Sequence, residues 1–196
     1  AGGLETNSGF KISLPMLNAG LKSLIWGDLI MRCLYRVRPY EKEKGAANRL
    51  EKKWKDICIS VLLGKNKDYN DKTICEGIVG DFDSLEIDET LVKPKVGIVG
   101  EILVKYMPLA NNHLVDLLES EGAEAVVPDF LDFISMIIFD KEFAHRELGK
   151  PWINMIISKV GVSALKKLRE PAAEALRKSK RFSPPTDIDK TAELAK

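Results

Sequence analysis

The densest run of hydrogen-bonding side chains lies between Gly100 and Asn112. It offers a carboxylate (Glu101), an ammonium (Lys105), a phenol (Tyr106) and two carboxamides (Asn111, Asn112), with Asp129 and Asp132 following a short segment later. Beside a helix N-terminus, whose N–H groups and dipole favour negative charge, such a set suits an anionic or carbonyl-bearing ligand. These seven residues are the candidate ligand-binding set. Two of them also have plain local uses: Glu101 can bond loop amides, and Asn111 can cap the helix that follows. No catalytic residue is assigned.

Other chemistry is sparse. Gly97 and Gly100 do not form the dinucleotide glycine turn, and the chain carries neither a nucleotide phosphate loop nor a G-x-S-x-G elbow. Cys33, Cys58 and Cys75 are scattered in apolar, helix-like context without CxxC spacing, as buried free thiols in a reducing compartment would be. No metal site is assigned to them. His113 and His145 sit in polar surroundings, and Trp26, Trp54 and Trp152 fall at helical apolar positions that read as core.

The elements that must position the candidate residues follow from periodicity. Leu17, Leu21, Leu24, Ile25 and Leu34 keep helical spacing as far as Pro39, with a break near Gly27 open. A second helix runs from Ala46 to Leu63 on the stripe Ala47, Leu50, Trp54, Ile57 and Val61. A capping box at Thr73–Glu76 opens a third. At Lys95 the period changes. Val96–Gly100 is a short apolar run that reads as a strand buried on both faces, and Ala123–Val127 reads as its neighbour. The helix between them carries Leu114, Leu117 and Leu118, so residues 95–127 form a βαβ unit. Later helices are expected after Asp129, from Pro151, and again from Pro171 at its first position.

The expected fold is therefore α/β: a Rossmann-like or flavodoxin-like three-layer parallel sheet unit, incomplete here, with a flanking helical region. The expected segments are a loose 1–13, a helical 14–93, an α/β domain at 94–182, and the start of a further segment at 183–196. The Ala1-Gly2-Gly3 opening and an Ile188–Lys196 helix without a stop signal read as a piece of a longer protein.

Composition narrows the function classes. The chain has 196 residues, 45% of them hydrophobic and 30% charged, with a formal net charge of +1. That balance gives no pull toward nucleic acid or an anionic membrane, and the short basic runs at Lys52–Lys55 and Lys178–Arg181 read as solvated helix faces. No apolar run is long enough to span a bilayer and no signal peptide opens the chain, so a cytoplasmic location is expected.

The run Val96-Gly97-Ile98-Val99-Gly100-Glu101-Ile102-Leu103-Val104-Lys105-Tyr106-Met107-Pro108-Leu109-Ala110-Asn111-Asn112, continued through Leu117–Glu124 and Val126-Val127-Pro128, resembles the acyl-CoA dehydratase activase-related proteins. These are large, multi-part relatives of the 2-hydroxyacyl-CoA dehydratases and their ATP-driven activators. Trp26-Gly27-Asp28-Leu29, Arg38-Pro39-Tyr40-Glu41 and Arg181-Phe182-Ser183-Pro184-Pro185 resemble the same family. The resemblance implies a dehydratase-like α/β domain with inserted helices, from an anaerobic bacterium. It also implies a whole protein that couples ATP hydrolysis to low-potential electron transfer through [4Fe–4S] clusters for acyl-CoA dehydration, as a lyase or its activator. The present residues include neither the ATPase loop nor cluster cysteines after the strands, so no cofactor is expected in this piece and ATP and [4Fe–4S] belong to the full-length protein. The expected role is a scaffold or substrate-cleft domain whose partners are other domains of the same polypeptide and an acyl-CoA. The alternatives are a small-ligand or acyl-CoA binding module and a structural or interaction domain.

Overall fold

The computed structural model describes residues 13–188 and 190. The first helix, α1 (Leu14–Val37), starts at Ser13, whose hydroxyl accepts a hydrogen bond from the Met16 amide. Pro15 sits in the first turn, where its missing N–H has no intrahelical partner to lose. The helix continues without a break through Gly27 and buries Trp26, Leu29, Ile30, Cys33, Leu34 and Val37. A 3-10 turn at Arg38–Tyr40 follows, where proline cannot extend the helical bonding. α2 (Ala46–Leu62) is entered through Gly45 at φ 85°, a left-handed conformation that favours glycine.

α3 (Asp71–Asp83) opens three residues before the expected box. Asn70 is the cap, its side chain accepting from the Thr73 amide at 3.0 Å while the Thr73 hydroxyl accepts from the Asn70 amide at 2.8 Å. The three helices close on Cys33, Ile74, Ile78 and Phe82. Gly77 lets α3 approach α2, since a Cβ there would lie 2.2 Å from Trp54 Cη2.

Beyond residue 94 the expected architecture is corrected. Among the described residues the structure is 66% helix, with seven α-helices and a two-stranded parallel sheet. It is not a three-layer Rossmann-like or flavodoxin-like unit. β1 (Lys95–Gly97) pairs in parallel with β2 (Glu124–Val126), with Val96 beside Ala125. Strand, helix and strand are thus present, joined through α4 (Ile102–Tyr106) and α5 (Leu114–Ser120). β1, expected to be buried on both faces, is instead exposed along its length, and Val99 just after it is 84% exposed. A short run of aliphatic residues marks a strand but does not reveal whether neighbours cover it.

α6 (Phe130–Leu148) and α7 (Ile153–Lys178) form an antiparallel hairpin turned at Gly149, which has φ 62°. Ser158 and Leu165 of α7 face inward, and Gly161 sits against Ile138. Pro171 does not begin a new helix. It lies inside α7, which continues past it although the proline has no N–H to give the Lys167 carbonyl. Ala172, Ala175 and Leu176 of α7, with Phe182 beyond it, join the same core as Trp26 and Phe82. The core therefore spans the expected boundary at residue 94. Trp152, expected in the core, is 63% exposed at the hairpin turn. Residues 1–12 and most of the expected helix at 188–196 lie outside the described residues.

Candidate functional site

Of the seven candidate residues, Lys105, Asp129 and Asp132 line one groove, and Glu101, Tyr106, Asn111 and Asn112 lie outside its lining. Glu101 is the N-cap of α4, its carboxylate accepting from the amides of Leu103 at 2.8 Å and Val104 at 3.1 Å. Tyr106 donates its hydroxyl to the Pro128 carbonyl at 2.7 Å and stacks obliquely on Phe130, with ring centroids 5.2 Å apart. Burial and the nearby Asp28, Asp129 and Asp132 carboxylates push its phenol well above the ordinary range. Asn111 pins the loop from inside: its carboxamide donates to the Val104 carbonyl at 2.9 Å and accepts from the Leu114 amide at 3.1 Å. It braces the start of α5 from three residues upstream, while His113 holds the N-cap position itself in a left-handed conformation. Asn112 is exposed with φ 54°. Lys105 places its ammonium 4.9 Å from the Tyr106 ring centre and makes no ion pair with a described residue.

Asp129 and Asp132 belong to a different constellation. α1 carries Asp28, Arg32 and Arg36 at successive intervals of four, which sets them in one line along the helix. Asp28 reaches the N-terminus of α6, where its two carboxylate oxygens accept from the amides of Phe130 at 2.8 Å and Leu131 at 3.0 Å. These are orphan donors of the first turn, so α6 is capped by a residue a hundred positions away rather than by Asp129. Asp129, freed from capping, bridges two guanidinium groups: Arg32 at 2.9 Å and Arg169 of α7 at 2.5 Å. Arg169 also holds Asp132 at 2.7 Å. One helical turn along α1, Arg36 donates to the buried Glu124 of β2 at 2.9 Å, and Tyr40 donates to the same carboxylate at 2.7 Å. Arg38 fastens α5 through Glu119 at 2.7 Å and Asp116 at 3.1 Å.

Sequence reasoning missed this network. The signal was there: three charged residues at i, i+4 and i+8 through an otherwise apolar helix demand partners at the same depth. The short stretches Trp26–Leu29 and Arg38–Glu41, which resemble a dehydratase-activase protein beside the longer 96–112 run, contribute residues to the network. Asp28, Arg38 and Tyr40 belong to it, and Glu41 caps α2 by accepting from the amides of Gly45 and Ala47.

The electrostatics are those of a clamp. Three carboxylates (Asp28, Asp129, Asp132) face two guanidinium groups (Arg32, Arg169) at the α1–α6–α7 junction. Burial and the Asp129 charge push Asp28 up to about 7. Burial also raises Asp129, against the pull of Arg32 and Arg169. Arg32 commits Nε and Nη2 to Asp129, and Arg169 commits Nη1 to Asp132 and Nη2 to Asp129. Beside the junction lies an open groove of about 1030 Å³, lined among others by Lys105, Asp129, Asp132, Phe133, Val162 and Pro185. The three cysteines are free and buried, and burial pushes the Cys58 and Cys75 thiols up to about 12.

Among the described residues, no helix is long and apolar enough to cross a membrane. No family model, curated protein or solved structure matches the chain.

Proposed function

We propose that this chain is a docking scaffold, which holds other protein surfaces in place and carries no reaction of its own. The observation that supports this reading is the apolar surface left open from the sheet to the hairpin. Ile153, Ile157, Val160 and Leu168 form a stripe at helical spacing on α7, and Leu103, Met107 and Leu109 stand out of the 100–112 loop, the last at 83% exposure. Apolar patches of this extent mark interaction sites. The polar residues beside them are spent on folding: Glu101, Tyr106, Asn111, Asp129 and Asp132 each serve an internal contact. In a protein of the dehydratase-activase type, such a scaffold would support the parts that carry clusters and ATP.

The test compares wild type with Ile157→Lys/Val160→Lys, two exposed positions. Wild type is expected to bind an apolar fluorescent dye and to self-associate in high salt, and the variant to lose both at an unchanged melting temperature. A variant that keeps both would refute the docking reading. Calorimetric titration with acetyl-CoA is expected to give no heat. Saturable binding weakened by Glu101→Ala or Asn112→Ala would replace the scaffold with a ligand-binding module.

A further inference from the structure

Parallel pairing uses the backbone groups of alternate residues only. On β1 these are the even positions: the Glu124 amide donates to the Pro94 carbonyl at 2.8 Å, and the Ile98 amide donates to the Val126 carbonyl at 2.9 Å. The register of Val96 opposite Ala125 places the Val96 groups in the same ladder. The N–H and C=O groups of Lys95, Gly97 and Val99 therefore point away from β2, and no described residue hydrogen-bonds to them. They recur about every 6.6 Å, the two-residue repeat of an extended chain. β1 is exposed on both faces, and at Gly97 and Gly100 no atom lies within 4 Å of where a Cβ would stand. β2, in contrast, is buried at Glu124 and Ala125 and packs against α1 and α5.

We propose that the outer edge of β1 accepts an extended segment of a partner protein as a third strand. The inference rests on the docking reading and names the chemistry of one partner. Only an extended backbone presents donors and acceptors at the spacing of Lys95, Gly97 and Val99, whereas a helix has consumed its own. Two strands alone are below the size of a stable sheet, so added pairing also stabilises β1 and β2. The exposed Val96 and Val99 call for aliphatic side chains on the incoming strand. Lys93 and Lys95 flank the edge. The two ammonium groups at the start of the strand, with Lys95 62% exposed and 3.8 Å from Glu124, favour a partner strand that carries a carboxylate opposite them.

Amide hydrogen exchange followed residue by residue on the whole chain tests this. Alone, the Gly97 and Val99 amides are expected to exchange freely while Ile98 is protected. Protection of all three in the monomer would show the edge already closed and overturn the proposal. The probe is a capped peptide of alternating valine and threonine with one glutamate. At saturation it is expected to slow exchange at Gly97 and Val99 by about tenfold or more. The same peptide N-methylated along one edge is expected to have no effect, and so is the intact peptide on Val99→Pro, which lacks an outward N–H. No slowing at millimolar peptide would refute the strand edge. Slowing that grows with protein concentration without peptide would assign the edge to a second copy, and equally overturn it. Ile157→Lys/Val160→Lys is expected to leave the peptide effect intact, so this result and the dye result can fail separately.

Discussion

The two halves of the molecule satisfy their apolar and polar groups in opposite ways. In the α1–α3 body, Cys33, Ile74, Ile78 and Phe82 are sealed off from water, and among its described residues Asp28 is the one charged residue buried with them. Between β1 and the middle of α7 the apolar residues are largely open, and the order comes from polar clamps: Asp28 on the α6 amides, Asp129 between two arginines, Glu124 beneath Arg36 and Tyr40. Burial is non-directional and scales with area, so the body tolerates little loss of volume. Clamps are directional and asymmetric, so their loss costs more than their presence contributes.

The largest effect should come from the body. Phe82→Ala empties a site with 0% exposure and is expected to cost about 3–5 kcal/mol. Val160→Ala on the open stripe should stay within about 0.5 kcal/mol. Urea midpoints measured side by side check the contrast; equal losses would mean that the stripe is covered in solution. Next comes the clamp itself. Asp129→Ala leaves Arg32 and Arg169 facing one another without their shared carboxylate, and a loss of about 3 kcal/mol is expected. A loss under about 1 kcal/mol would show the cluster to be solvated, because exposed pairs contribute no more than that.

Gly77→Ala probes the join within the body. The added methyl would strike the Trp54 ring, whose Nε1 donates to Asp81 at 2.9 Å and so resists displacement. Overpacking of this kind costs about 1–3 kcal/mol. A shift in unfolding midpoint is the readout, and an unchanged midpoint would mean that α2 and α3 slide apart without strain.

Asp28 ties the two modes together, because it is a body residue that caps an element of the other half. Burial first, then the Asp129 charge, raise it to about 7, against the two amide hydrogen bonds that favour its ionised form. A folded pKa above the unfolded one means that the native state holds an extra proton between about pH 4 and pH 7. The stability from that proton is complete below pH ~4, falls as the pH rises, and is gone above pH ~7. The slope is at most one proton, about 1.4 kcal/mol per pH unit. Other carboxylates also titrate in this range, so the informative quantity is wild type minus Asp28→Asn. That difference should decline from about pH 5 to pH 7 and level off beyond; a flat difference would show Asp28 ionised throughout.

Legibility in the sequence divides along the same line. Apolar spacing located α1 and α2 within a few residues, and the change of period at Lys95 located both strands, since each signal is local. The Thr73 box was misplaced because Asn70 and Thr73 can exchange the same two bonds one turn earlier. Pro171 was misread as a helix start because proline chemistry fits a first turn and an interior kink alike, and only the packing of Ala172 and Leu176 on the body decides between them. The clamps were invisible for a stronger reason: Asp28 meets Phe130 and Arg32 meets Asp129 across about a hundred residues, and no local pattern records such a meeting. Asp129 and Asp132 were picked out for their position after a strand. They do gather with other charges, but with arginines of this chain that already occupy them.

The smallest effect bears on the 100–112 loop, where the hydroxyl and the ring of Tyr106 can be separated. Tyr106 donates to the Pro128 carbonyl at the turn between β2 and α6, and its ring rests on Phe130. Tyr106→Phe keeps the ring and removes only that hydrogen bond, which should cost about 1 kcal/mol. The loss should fall on the docking of the loop against the first turn of α6, read as faster amide exchange at Ile102–Tyr106 with α1–α3 unchanged. Tyr106→Leu should cost more, because it also removes the aromatic contact, worth a further ~0.5–1.5 kcal/mol. Equal losses in the two variants would mean that the ring contributes nothing and the hydroxyl everything. The phenol would then fasten the loop through its hydrogen bond to the Pro128 carbonyl alone, with no help from the ring on Phe130.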